Sequence, residues 1–546
     1  MLRDASGVDR DRLRELQQLA RQNDQPVVEL LADREAVDEP AMLASLGQAV
    51  GLDVWDRSAG TVSANLVDDL PASLAARYHV FPVGRADDEL LLATHDPLGW
   101  SRWDELTQLL GRPARRVLAP RPVIADLIKT HYGVGADTVE RLTHGRAATP
   151  HPSDDPSDLA DTAAGDEPTV VHFVNQILAE AIAAQATDIH FEPSDRRYRV
   201  RYRIDGLLED VSVPVRVGQL KAAIVSRLKI MSHLDITEKR LPQDGRARVH
   251  VGAKPFDLRV SVLPGVHGEA VNIRIQSRQM VELQLTGLGF DDQQQKQIAR
   301  LAEQSHGLVL VTGPTGSGKT TTLYTCLRQI NRPETKIITI EDPVEYWMDD
   351  ILQMQVHEEI GFDFARALRS MLRHDPDVML IGEIRDRPTA DITIRSALTG
   401  HLVFATLHTN DAAGAVSRLL DIGVEPFLAA SSVTGIIAQR LVRKVCESCR
   451  EPAADARLPG VESSWVGRGC GRCRHTGYRG RSVIAEVLPI SAEIRGLIQG
   501  RASADQIQQA AARQGMTSLR DSALQAVRDG RTTVAEALRV TQEVSS

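Results

Sequence analysis

Gly307-Leu-Val-Leu-Val-Thr-Gly-Pro-Thr-Gly-Ser-Gly-Lys-Thr320 is a short apolar run that ends in a glycine-rich loop. The residues that follow carry Leu323, Leu327 and Ile330 at helical spacing, so the order is strand, loop, helix. In that order the glycines let backbone N–H groups turn in on phosphates, and the helix N-terminus adds its positive dipole. Gly313, Pro314, Thr315, Gly316, Ser317, Gly318, Lys319, Thr320 and Thr321 are therefore the expected nucleotide cradle. Lys319 is suited to the β- and γ-phosphates and the Thr320 hydroxyl to Mg²⁺.

Outward from this loop, apolar runs at 308–312, 336–340, 378–381 and 402–407 alternate with helical patterns, which predicts a mostly parallel sheet. In such sheets ligands lie beyond the carboxyl ends of the strands. Ile340-Glu-Asp-Pro-Val-Glu345 and Val378-Met-Leu-Ile-Gly-Glu383 put acids at two of those ends. Glu341, Asp342, Glu345 and Glu383 are expected to converge on the phosphates. Hydrolysis needs one carboxylate to orient water and others to hold the hydrated metal. Glu383 takes the first role here, Asp342 with Glu345 the second. The competing reading of this acidic stretch is a solvated turn stopped by Pro343. Gly400-His-Leu-Val-Phe-Ala-Thr-Leu-His408 predicts His401 and His408 near the same edge, with His408 as a γ-phosphate sensor.

Cys446-Glu-Ser-Cys449 and Cys470-Gly-Arg-Cys473 have the paired CxxC spacing of a closed four-thiolate zinc site. Four sulfurs leave no open position for water, so this zinc is structural; reduced, unliganded thiols are the alternative. The fifth cysteine, Cys326, falls on the helix after the glycine-rich loop and reads as packing.

The chain has 546 residues, enough for three or four domains, and a formal net charge of -9, which argues against general nucleic-acid binding. No apolar run approaches the ~20 residues of a membrane span. The opening MLRDASGVDRDRLREL lacks a secretory pattern, so a cytoplasmic protein is expected. Residues 136–166, rich in Ala, Asp, Pro, Ser and Thr, read as a flexible linker. After it, Val170, Val174, Ile177 and Ala181 mark one face of a helix, and Arg197 to Ile204 alternates strictly. In that strand Tyr198, Val200, Tyr202 and Ile204 form the inner face and four arginines a solvated outer one. Gly252-Ala253 between two alternating runs predicts a hairpin that puts Arg246 opposite Arg259. Like charges so placed repel, and an anion lying over them would relieve this; the competing reading is two arginines splayed into water. Arg366, Arg369 and Arg373 share a helical face, at a subunit interface, at a pore or in solvent.

GPTGSGKT, ITIEDPVE, DPDVMLIGEIRD, TGHLVFATLHTND and AQRLVRKVC together resemble the type II secretion and type IV pilus-assembly ATPase family, from about Glu167 onward. The resemblance implies a RecA-like α/β P-loop motor domain preceded by a smaller α+β, PAS-like domain and an N-terminal α/β docking domain, with a tetracysteine zinc module. The corresponding spans are 1–135, linker 136–166, 167–284, 285–445, 446–482 and a helical region 483–546. Gly382 stands where many P-loop enzymes place a metal-binding Asp, which favours Asp342 or Glu345 for the metal. A homohexamer is implied, with ATP, Mg²⁺ and Zn²⁺. Arg246 and Arg259 would then act in trans on a neighbour's nucleotide, with Arg274 next in line. The implied partner is a cytosolic segment of an inner-membrane platform protein, which would leave the chain peripheral to that membrane. Some relatives bind a cyclic dinucleotide through paired Arg-Leu-Gly segments; the first hundred residues contain no such pair, so that ligand is not expected. The secretion branch is favoured, the pilus branch is the alternative, and a nucleic-acid translocase or a non-hydrolysing scaffold would be the other classes.

Overall fold

The computed structural model describes residues 2–22, 26–35, 37–55, 62, 64–136, 168–195, 197–252, 254–277, 284–453 and 464–541. The expected linker therefore lies outside the described residues, save Ala136. Two compact units divide the chain, Met1–Gln276 and Ser277–Ser546.

The first unit opens with helices Arg10–Gln22, Val27–Arg34 and Glu39–Val50. They close around Leu16, Leu31, Met42 and Leu46, all fully buried. A three-stranded sheet follows. β1 (Val80–Ala86) runs antiparallel to β2 (Glu89–Thr94), and β3 (Ala114–Leu118) returns parallel to β2 after the helix Trp100–Leu110. A parallel return needs such a crossover helix.

Next come helix Pro168–Ala183, β4 (Asp188–Pro193), β5 (Tyr198–Ile204), β6 (Leu207–Val211), β7 (Gln243–Val251), β8 (Lys254–Gly265) and β9 (Gly268–Ser277). These strands form one sheet in the order β6-β5-β4-β9-β8-β7. Val170, Val174, Ile177 and Ala181 are buried against Ile189, Phe191 and Tyr202 in one core, as the helical periodicity predicted. Along β5 Tyr198, Val200 and Tyr202 are buried. The arginines on its other face pair with acids: Arg199 with Asp210, Arg201 with Glu192, Arg203 with Asp188. Arg197 is exposed, but the three paired arginines are half-buried, so the face expected to be solvated is instead largely covered by its own ion pairs, which stabilise little.

The second unit is built on a seven-stranded sheet. Its strands are β10 (Gly307–Thr312), β11 (Ile337–Glu341), β12 (Leu352–Gln355), β13 (Val378–Ile381), β14 (Leu402–Leu407), β15 (Val433–Val445) and, beyond the short β16 (Arg450–Pro452) and β17 (Trp465–Gly467), β18 (Tyr478–Pro489). The order is β12-β11-β13-β14-β10-β15-β18, with β18 antiparallel to β15 and the other pairings parallel. Every residue of β10, β11, β13 and β14 is buried, as expected of parallel strands covered on both faces by helices.

The sequence pattern did not reveal three strands of this sheet. Gln439, Arg440, Arg443 and Lys444 interrupt the apolar run of β15, and β12 is only four residues long. The division at 482/483 falls inside β18, so the cysteine segment is an insertion between two neighbouring strands rather than an appendage after the sheet. Helices Ala492–Gln499, Ala504–Arg513, Leu519–Arg528 and Val534–Thr541 close the chain. Among the described residues no helix is long and apolar enough to cross a membrane.

Candidate functional site

The sheet order decides which loops meet. β10 lies beside β14, β14 beside β13, and β13 beside β11, so the glycine-rich loop is flanked successively by His408, Glu383 and Asp342. Adjacent strands are about 4.8 Å apart, which brings residues far apart in sequence onto one edge.

The loop itself needs its glycines. Gly313, Gly316 and Gly318 have φ of 145°, 78° and 86°, a region that L side chains rarely enter. A Cβ on Gly313 would also stand 2.4 Å from the carbonyl oxygen of Gln439. Gln439, on β15, donates from Nε2 to the Ser317 carbonyl at 2.8 Å and so fixes the loop from its other flank. Lys319 Nζ donates to the carbonyls of Gly313 at 2.7 Å and Pro314 at 3.2 Å. Burial pulls its pKa down to about 8, opposed by the nearby Glu383. An anion over the loop would offer this ammonium a stronger partner than two neutral carbonyls. The Ser317 hydroxyl is buried with no hydrogen-bond partner among the described residues. A half-satisfied loop of this kind fits a phosphate-binding cradle.

The acids separate into two groups. Glu383 shares its carboxylate between Arg385 on Oε1 and His408 Nε2, 3.3 Å from Oε2. Arg385 also reaches Asp342 at 3.7 Å, so Asp342, Glu383, Arg385 and His408 form one cluster. Burial, then the positive Lys319, lowers the His408 pKa against the pull of Glu383, so the ring is neutral near neutral pH. Glu345 stands near Glu341, whose pKa it helps to raise after burial, the larger cause.

Glu341 does not join the cluster, contrary to the expected convergence. It is buried, accepting from Thr339 Oγ1 at 2.6 Å, from the Tyr324 hydroxyl and from Gln353 Nε2 at 3.4 Å. The reason is strand alternation: consecutive residues of β11 face opposite sides, and Glu341 shares the side of Thr339. His401 is a second correction. It precedes β14 and its Nδ1 lies 3.0 Å from the Ser396 carbonyl, at the other end of the strand from His408. Six residues of extended strand put about 20 Å between the two ends. Two members of the edge escaped the sequence reading. Arg385 was visible two residues after Glu383, and Gln439 inside AQRLVRKVC, but neither had a pattern assigning it a role.

In the first unit the hairpin has the register predicted from its two-residue loop. Val251 pairs with Lys254 and Arg246 stands directly opposite Arg259. Arg246 is exposed, while Arg259 is half-buried and donates from Nε to Gln276 Oε1 at 3.1 Å. Arg274 is committed to Asp188 at 3.2 Å.

The cysteines meet as their spacing requires. Cys446 and Cys470 sulfurs are 3.9 Å apart, and Cys473 lies 3.7 Å from both Cys449 and Cys470. All four sulfurs lie within 4.8 Å of one another. A tetrahedron with metal–sulfur bonds of about 2.3 Å has edges of about 3.8 Å, so the donor set fits a metal ion held by four thiolates. Cys326 is buried, and burial pushes its thiol up to about 12.

Comparisons with known proteins agree with this geometry. The family described as type II/IV secretion system protein matches residues 163–539, and the MshEN domain matches residues 50–138. The chain is 41% identical over 541 residues to the type IV pilus assembly ATPase PilB of Myxococcus xanthus, covering 96% of this chain and 95% of that one. It is 40% identical, with the same coverage, to the type II secretion system protein E of Xanthomonas campestris pv. campestris. The X-ray structure of the Legionella pneumophila ATPase DotB shares the fold, with a TM-score of 0.52 at 20% identity over 70% of this chain and 98% of that one. With a family match over most of its length and relatives named type IV pilus assembly ATPase and type II secretion system protein E at 41% and 40% identity, the chain belongs to the type II/IV secretion system protein family and is an ATPase.

Proposed function

We propose that the chain is the ATP-hydrolysing motor of a type II secretion system, working as a homohexamer on a cytosolic segment of an inner-membrane platform protein. The observation that carries this reading is the Asp342–Glu383–Arg385–His408 cluster beside a phosphate cradle. In it, Glu383 orients the attacking water, His408 reads the γ-phosphate, and Lys319 with the residues from Gly313 to Thr321 holds the phosphates. Thr320, Asp342 and Glu345 hold Mg²⁺, which when bound neutralises charge on the phosphates. The motor domain is RecA-like. The six-stranded unit before it is PAS-like, and Arg246 and Arg259 supply its positive charge in trans to a neighbour's nucleotide. Cys446, Cys449, Cys470 and Cys473 hold a structural Zn²⁺. Residues 1–135 dock to the membrane machine, 136–166 link them to the second domain at 167–284, and the motor sheet that begins within 285–445 takes in β18, with the cysteine insertion between β15 and β18 and the C-terminal helices after it. The chain is cytoplasmic and peripheral to the inner membrane through its partner.

The secretion names among its relatives support the secretion branch, and 41% identity to a PilB over nearly the full length supports the pilus alternative. Deleting the gene separates the two. Exoproteins retained in the periplasm with surface pili intact are expected; loss of pili with secretion intact overturns the secretion reading in favour of the pilus one.

A further inference from the structure

The loop that follows β14, His408 to Asp411, is held from behind by two buried charged residues that the catalytic edge does not use. Glu486, on β18, is 3% exposed. Its Oε2 accepts the Ala412 N–H at 3.0 Å, and its Oε1 accepts the Leu519 N–H at 3.0 Å and Gln508 Nε2 at 3.2 Å. Ala412 and Leu519 are the first residues of the helices Ala412–Asp421 and Leu519–Arg528. N–H groups at that position have no partner within their own helix, and both helix dipoles favour a negative charge there. One carboxylate thus ties the helix that starts just after His408 to a helix of the C-terminal bundle. Arg440, on β15 and 4% exposed, makes a second tie. It donates from one terminal nitrogen to the Val540 carbonyl at 2.7 Å and from the other to Asn410 Oδ1 at 3.3 Å.

The loop is in turn fastened to the phosphate cradle. The Thr409 N–H donates to Thr312 Oγ1 at 2.9 Å, and the two threonine hydroxyls are 2.7 Å apart. Thr312 is the last residue before the glycine-rich loop, and the Thr409 hydroxyl also donates to the Asp411 carbonyl at 3.0 Å. A continuous set of hydrogen bonds therefore runs from Leu519, Gln508 and Val540, through Glu486 and Arg440, to Asn410 and Ala412 around His408.

We propose that Glu486 and Arg440 are positioning residues for ATP hydrolysis, through which the C-terminal helices set the placement of His408 against Glu383. The proposal rests on the γ-phosphate-sensing role given to His408 above. It makes the C-terminal bundle a control point for turnover: whatever displaces Leu519 or Val540 loosens the sensor loop, although among the described residues the ion pairs that define the cluster include none from the bundle. Small displacements at a reacting centre are costly, which is why a distant strut can matter to rate.

The experiment uses the full chain with Glu486→Gln, which keeps shape but turns an NH₂ group toward one of the two helix N–H donors. The expected result is a turnover about ten- to a hundredfold lower, with KM and nucleotide affinity within about twofold of wild type. Introduced into a His408→Ala chain, the same substitution should cost nothing further, because both act on one step. Asn410→Ala, at an exposed residue, should reproduce the turnover loss more weakly and decides the matter if Glu486→Gln does not fold. Glu486→Gln at wild-type turnover beside an impaired His408→Ala chain overturns the relay alone. So does a loss in the double variant equal to the product of the two single losses. A His408→Ala chain at wild-type turnover overturns the sensing role and the relay with it.

Discussion

Beside the glycine-rich loop Glu383 divides its two oxygens between Arg385 and His408, while in the cysteine insertion four sulfurs lie within 4.8 Å of one another. The edge draws its groups from the ends of β10, β11, β13 and β14, and its members are partly exposed: the Arg385 side chain is 57% exposed and that of His408 51%. The insertion draws its four from two local CxxC turns inside a single excursion between β15 and β18. Partly exposed ion pairs contribute little to stability and exchange partners readily. A closed set of thiolates around a metal contributes folding free energy outright. Damage at the edge should therefore appear in rate and damage at the insertion in folding, and each of the following variants tests that separation.

The largest effect on turnover is expected from the edge itself. Glu383→Gln should lower phosphate release by about a thousandfold while leaving nucleotide binding and the thermal midpoint near wild type. Lys319→Ala should lose binding as well, since it removes the ammonium that the phosphates would meet. A Gln variant that hydrolyses at the wild-type rate removes Glu383 from its water-orienting role. One that unfolds early breaks the contrast between rate and stability.

Arg246→Ala or Arg259→Ala comes next, with turnover down about a hundredfold and each chain's own P-loop still able to bind nucleotide. Mixing Arg246→Ala with Lys319→Ala chains should restore part of the activity, because a mixed interface can pair an intact arginine with an intact P-loop. Both arginine variants at wild-type turnover in an assembled ring would return these residues to a solvated face.

Cys473→Ser should change the assay in the other direction, with a small effect on rate at low temperature and a large one on folding. About one zinc ion per chain is expected in the wild type and a deficit in the variant, with earlier unfolding of the C-terminal region. Elemental analysis finding no zinc in freshly purified, unchelated protein would leave the insertion as four reduced thiols.

The smallest effect is the pH response of the edge. Burial and Lys319 both disfavour protonated His408, so its pKa lies below the ordinary histidine value of about 6.5. The neutral ring that faces Glu383 then persists through neutral pH and is lost only as pH falls through that lowered value. Turnover should be flat around pH 7 and decline on the acid side, and His408→Gln should remove this acid limb. A decline already complete at pH 7 would contradict the neutral sensor.

Legibility in the sequence differs sharply between the two regions. The CxxC turns and the glycine-rich loop are local: their form follows from residue types a few positions apart, so the strand–loop–helix order around Lys319 and the meeting of the four cysteines could be read directly. The hairpin was legible for the same reason, since a two-residue loop fixes its register and set Arg246 against Arg259. Glu383 and His408 were legible because each ends a clean apolar strand. Glu341 and His401 were misplaced because a one-residue step along a strand reverses the side chain, and the two ends of one strand are far apart. β15 and β18 were missed because their polar residues are buried and satisfied by partners far along the chain, such as Val540 for Arg440 and Leu519 for Glu486. By itself the sequence determined the local character of each short segment: which stretch forms a glycine-rich loop between strand and helix, which pairs of thiols form turns, which residues end a strand. Only the tertiary structure decided which segments meet. It placed β14 between β10 and β13, joined Arg385 to Asp342 and Glu383, and tied Glu486 to two helix starts, because strand order and long-range burial depend on contacts that no local spacing encodes.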